Sequence, residues 1–102
     1  KRLELARALA TRPRLLLLDE IAGGLTDQEV RELLDTIRAI RAAGVTIIWI
    51  EHIVHALLAV VDRLVALDFG RKVTEGEPQA VMADPAVREI YMGIDAAEEI
   101  VP

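Results

Sequence analysis

Apolar and polar positions follow two rhythms along this chain, and each change of rhythm marks an element. Val30, Leu33, Leu34, Ile37 and Ile40 recur at helical spacing, while Arg31, Glu32, Asp35, Arg38 and Arg41 take the other face. That pattern predicts an amphipathic helix. Thr26 stands where a capping oxygen is needed, Glu29 follows three residues later as in a capping box, and Gly44 suits a left-handed stop. On either side the helical rhythm gives way to short apolar runs. One is Leu15-Leu16-Leu17-Leu18 leading into Asp19-Glu20; the other is Val45-Thr46-Ile47-Ile48-Trp49-Ile50 leading into Glu51-His52. The first, bounded by Pro13 and by acids, reads as a strand buried on both faces of a parallel sheet. Strand, helix and strand of this length form a right-handed βαβ unit, so His52 is expected at the same sheet edge as Asp19 and Glu20.

The flanks read more simply. Residues 1–11 suit a helix already under way, with Leu3, Ala6, Leu9 and Ala10 on one face and Pro13 ending it. Its charged, uncapped start leads us to expect a sequence cut from something longer. Residues 53–61 predict a short helix, apolar on most sides and therefore buried or covered by a partner. Residues 63–68 predict a third strand, and Phe69-Gly70-Arg71 turns it into 72–76 as a hairpin at the sheet edge. Pro78 opens a helix through Met82-Ala83, Asp84-Pro85 is an N-cap followed by a first-turn proline, and Gly93 closes the last helix. The expected organisation is one α/β domain, or part of one, over residues 1–93, with an acidic tail over 94–102.

Composition narrows the classes. The 102 residues allow a single small core, and 53% of them are hydrophobic with only 3% aromatic, so Leu, Ile, Val and Ala build it. So large an apolar share implies surfaces covered by something else. A net charge of −5 argues against sequence-independent binding to nucleic acid or anionic lipid. The lack of cysteine excludes disulfides and thiolate metal sites. No run approaches the roughly 18–20 apolar residues of a membrane span. The expectation is a soluble, cytoplasmic chain.

The candidate chemistry sits at the strand ends. In open parallel sheets, ligands bind beyond the carboxyl ends of the strands. Two carboxylates held there by a rigid strand suit a metal-bound phosphate: Asp19 to hold Mg²⁺, Glu20 to orient or deprotonate a water, as in a Walker B element. A leucine strand followed by acids also occurs where no nucleotide chemistry does. His52 could be an ordinary half-exposed histidine, and Gly23-Gly24 could merely permit a turn. His55 reads as structural or solvent-facing, and Trp49 as core. Asp62 and Arg63 read as local ion pairs or caps.

Taken in order, six segments resemble the nucleotide-binding subunits of ABC transporters. They are Lys1-Arg2-Leu3-Glu4-Leu5-Ala6-Arg7-Ala8-Leu9, the leucine strand with Asp19-Glu20, Ala22-Gly23-Gly24-Leu25-Thr26, Ile50-Glu51-His52, Asp62-Arg63-Leu64-Val65 and Gly70-Arg71-Lys72-Val73-Thr74-Glu75-Gly76. Asp84-Pro85-Ala86-Val87-Arg88-Glu89-Ile90-Tyr91-Met92-Gly93 resembles the subfamily serving branched-chain amino acid uptake. The resemblance implies a partial P-loop NTPase (RecA-like) fold: a parallel sheet flanked by helices, with a C-terminal hairpin and helices. It implies ATP and Mg²⁺ as ligands, Asp19 on the metal, Glu20 polarising the attacking water and His52 on the γ-phosphate. Gly23, Gly24, Leu25 and Thr26 would form the loop touching a second ATP-binding subunit across the nucleotide. Membrane-spanning permease subunits would be further partners, nucleic acid would not, and the location would be peripheral on the inner face of the cell membrane. Where the family often has proline after the glutamate, this chain has Ile21. The G-x-x-x-x-G-K-[ST] phosphate loop and the glycine-rich signature are absent from the sequence, so these 102 residues alone are expected to be inactive. A soluble ABC-type ATPase outside transport, and a truncated product without catalysis, are the alternative readings.

Overall fold

The computed structural model describes residues 2–91. Its elements are α1 (Arg2–Ala10), β1 (Leu15–Asp19), α2 (Asp27–Ala42), β2 (Thr46–Ile50), α3 (Val54–Leu58), β3 (Leu64–Asp68), β4 (Arg71–Gly76), α4 (Pro78–Ala83) and α5 (Pro85–Tyr91). The chain divides into two compact units, one ending at Val60 and the other beginning at Val61. The expected acidic tail over 94–102 and the closing role of Gly93 lie outside the described residues. Among the described residues no helix is long and apolar enough to cross a membrane.

The first unit is the βαβ motif preceded by α1. β1 and β2 pair in parallel, Leu15 opposite Thr46 through Asp19 opposite Ile50. α2 joins them and starts as its sequence predicts: Thr26 accepts from the Glu29 N–H at 3.1 Å, and the Glu29 carboxylate accepts from the Thr26 N–H at 3.2 Å. It buries Val30, Leu34, Ile37 and Ile40. Gly44, at φ 94°, ends it and donates its N–H to the Arg41 carbonyl at 2.9 Å. Arg38 and Arg41 also donate to the carbonyls of Ala59 and Val60, tying α2 to the residues after α3.

One expectation fails here. β1 is not buried on both faces: Leu16 and Leu18 are covered, whereas Leu15 and Leu17 are exposed. Through the register, Ile48 and Ile50 share the open face with Leu15 and Leu17, while Ile47 and Trp49 lie on the covered side. A two-stranded sheet with helices packed on one side alternates, whatever the leucine content of its strands. Helix α1, although Leu3, Ala6, Leu9 and Ala10 share a face, has no buried side. None of its residues is buried, and Leu3 is 64% exposed. A cleft of about 1020 Å³ separates it from β1 and α2, lined by Leu3, Leu9, Leu17, Ile21, Leu25 and Leu33 among others. An ion pair between Arg2 and Glu32 bridges α1 and α2.

In the second unit β3 and β4 form their own antiparallel two-stranded sheet rather than the edge of a larger one. Phe69 and Gly70 both have positive φ, 48° and 74°, as a tight two-residue hairpin turn requires. The register slips between Ala66 and Leu67, which leaves Val73 as the extra residue of a bulge. Ala66, Val81 and Val87 make the core, flanked by Leu64, Val73 and Met82. Arg63 pairs with Glu75 at 3.1 Å, the local ion pair expected of it. Helix α4 is capped by Glu77, which accepts from the N–H groups of Gln79 and Ala80, and Asp84 accepts from the Ala86 N–H at the start of α5.

Candidate active site

The parallel register makes β1 and β2 end on one edge. Just beyond it, the Glu20 N–H adds one more rung by donating to the Ile50 carbonyl at 2.8 Å. The chain then turns sharply, with Glu20 at φ 49°, a left-handed conformation that a side chain adopts at a cost. This turn carries Glu20 beside the loop after β2. His52 Nδ1 lies 3.3 Å from Glu20 Oε1. Both side chains are well exposed, at 69% for His52 and 60% for Glu20, so the pair adds little stability and remains open to a ligand. Topology alone had placed these residues at a common rim, and the distance agrees.

Asp19 occupies the last paired position of β1 and is exposed. No hydrogen bond or ion pair engages its carboxylate among the described residues. No group of three metal-ligating side chains exists there either. An all-protein cage is thus not built around Asp19. A lone, unengaged carboxylate does fit Mg²⁺, which typically takes one or two carboxylates and completes its shell with waters and substrate phosphates.

The loop residues divide by role. Gly24 has φ 78° with open space where a Cβ would stand, so conformation rather than crowding favours glycine. Leu25 donates its N–H to the Ala22 carbonyl at 3.4 Å, closing the turn, and its side chain borders the cleft. Thr26 is engaged in capping α2. His55, left aside as structural or solvent-facing, is exposed on α3, which is shorter than the predicted 53–61 helix.

Sequence reasoning missed Glu51. Its side chain is fully buried beside the exposed His52. Oε2 accepts from the Ala22 N–H at 3.0 Å and from Trp49 Nε1 at 3.2 Å. Oε1 accepts from the N–H groups of His52 at 3.2 Å and Ile53 at 3.5 Å. One carboxylate therefore links the loop after Glu20 to the strand end that bears His52. The only cue in the sequence is an acid directly following an apolar strand, which by itself reads as a solvated end.

Residues 71–97 match a family model described as branched-chain amino acid ATP-binding cassette transporter. The lipopolysaccharide export system ATP-binding protein LptB of Acidithiobacillus ferridurans is 40% identical over 93 residues, 91% of this chain and 39% of that protein. The high-affinity branched-chain amino acid transport ATP-binding protein BraF of Pseudomonas aeruginosa is 36% identical over 94 residues, 91% of this chain and 37% of that one. The chain thus spans less than half the length of these curated relatives. Among solved structures, the ADP conformation of MJ1267, an ATP-binding cassette of an ABC transporter, superposes with a TM-score of 0.79 at 32% identity. That match covers 88% of this chain and 37% of MJ1267. A nucleotide-free ATP-binding cassette gives a TM-score of 0.80 at 29% identity, over 86% of this chain and 36% of its own. Over nine-tenths of its length the chain is similar to a part of the ATP-binding subunits of ABC transporters, and residues 71–97 are similar to the branched-chain amino acid type.

Proposed function

We propose that the full-length protein is the Mg²⁺-dependent ATP-hydrolysing subunit of an ABC importer for branched-chain amino acids. The observation that carries this reading is the approach of Glu20 to His52 at the carboxyl edge of a parallel strand pair, with the unengaged Asp19 one residue before. In this role Asp19 would hold the metal, which when bound would supply charge neutralisation on the phosphate oxygens. Glu20 accepts a hydrogen bond from the attacking water and draws its proton away as the water oxygen bonds to the terminal phosphorus and the bond from that phosphorus to the bridging oxygen of ADP breaks, releasing ADP and phosphate. His52 holds the Glu20 carboxylate through Nδ1 and leaves its other ring nitrogen for the terminal phosphate. The loop from Gly23 to Thr26 faces a second ATP-binding subunit, and closure on ATP is passed to membrane-spanning permease subunits, which places the protein on the inner face of the membrane. The match of residues 71–97 supports the branched-chain substrate over the export role in the name of the LptB relative.

Glu20→Gln in the full-length protein tests the reading. An amide still orients water but cannot take its proton, so hydrolysis falls by at least about 10²-fold while MgATP binding persists. Unchanged turnover would overturn the assignment.

A further inference from the structure

We infer that Glu51 is a positioning residue that sets the separation of Glu20 and His52; this deepens the proposed ATPase reading and rests on it. Its carboxylate is fully buried while Glu20 and His52, a few ångströms away, are largely exposed. Taking a carboxylate out of water is costly unless its lone pairs are met, and here each oxygen receives two N–H donors. The donors come from both halves of the site. Ala22, itself only 1% exposed, lies two residues after Glu20; His52 and Ile53 lie on the other side of the pair; Trp49 adds the β2 strand itself. All four partners donate, so the anchor needs two acceptor oxygens. Glutamine presents one oxygen and one NH₂ group, and whichever way it turns, two N–H donors face another donor. Either the Ala22 loop or the His52 backbone is then released. The reacting pair, held together only by an exposed contact, loses its fixed distance.

The test uses the full-length protein with MgATP. Glu51→Gln is expected to lower kcat by about 10²-fold, the effect of a misplacement near 1 Å, while KM for MgATP stays within about twofold. A thermal melt run alongside separates loss of geometry from loss of fold. Glu51→Asp keeps both oxygens but falls one methylene short, and is expected to recover part of kcat. Trp49→Phe removes one neutral donor and should cost about fivefold in kcat with KM unchanged. It carries the test should the glutamine variant not fold. A kcat within twofold of the parent in a folded Glu51→Gln protein, or a rise in KM that accounts for the whole loss, would overturn the role of Glu51. Glu20→Gln run in the same assay keeps the two claims apart. If that variant is inactive and Glu51→Gln is not, only the positioning role fails. If Glu20→Gln hydrolyses normally, the ATPase assignment fails with it.

Discussion

Glu20, the proposed base, also carries a backbone cost. A left-handed φ of 49° is tolerable for glycine and unfavourable for a side chain, yet this conformation turns the chain so that the carboxylate meets His52. Glu20→Gly should therefore stabilise the full-length protein by about 1 kcal/mol, read as a higher denaturant midpoint, while abolishing hydrolysis. A lower midpoint would mean that the side chain contributes packing that offsets its strain. That Asp19, Glu20 and His52 stand at one sheet edge was legible in the sequence, because parallel pairing across a right-handed crossover needs only the order of elements. Glu51 was not. Whether an acid after a strand is solvated or swallowed depends on where the Ala22 loop folds back, and no spacing between residues 22 and 51 encodes that.

Elements whose stabilising contacts are local were read well, and α2 shows why. Its capping box involves only Thr26 and Glu29, and the stop involves only Gly44, so each lies within a four-residue window. Thr26→Ala should cost about 1 kcal/mol. The Glu29 carboxyl is held below its ordinary value of 4.5, first by the Thr26 backbone N–H and then by the Thr26 hydroxyl. A carboxyl with a lowered folded value stabilises fully above its unfolded value and loses that contribution as pH falls through the lowered one. The stability gap between the parent and Glu29→Gln should accordingly be present at pH 6 and shrink below about pH 4.5, measured by urea midpoints across that range. A gap that widens toward acid would contradict the assigned hydrogen bonds. Strands were read less well, since burial of a strand face depends on partners distant in sequence. Four leucines in a row gave no hint that Leu15 and Leu17 face outward with Ile48 and Ile50.

At the scale of the molecule, the groups proposed to react rest on a sheet of two strands with one apolar face open, and the sequence contains no G-x-x-x-x-G-K-[ST] loop to cradle phosphates. Two strands alone are marginal as a platform. The proposed means of holding MgATP are thinner still: one unengaged carboxylate for the metal and one histidine for a phosphate oxygen. An exposed ion pair contributes up to about 1 kcal/mol, whereas even millimolar binding requires about 4 kcal/mol. Two such contacts fall short by half. Calorimetric titration of the 102-residue chain with MgATP should therefore show no saturable binding up to millimolar nucleotide, while the full-length protein binds it. Saturation of the short chain at micromolar MgATP, lost in Asp19→Asn, would mean that this sheet edge holds the nucleotide without a phosphate loop. The division of labour would then differ from the one proposed, in which these residues supply the metal ligand, the base and its partner, and another segment supplies the grip.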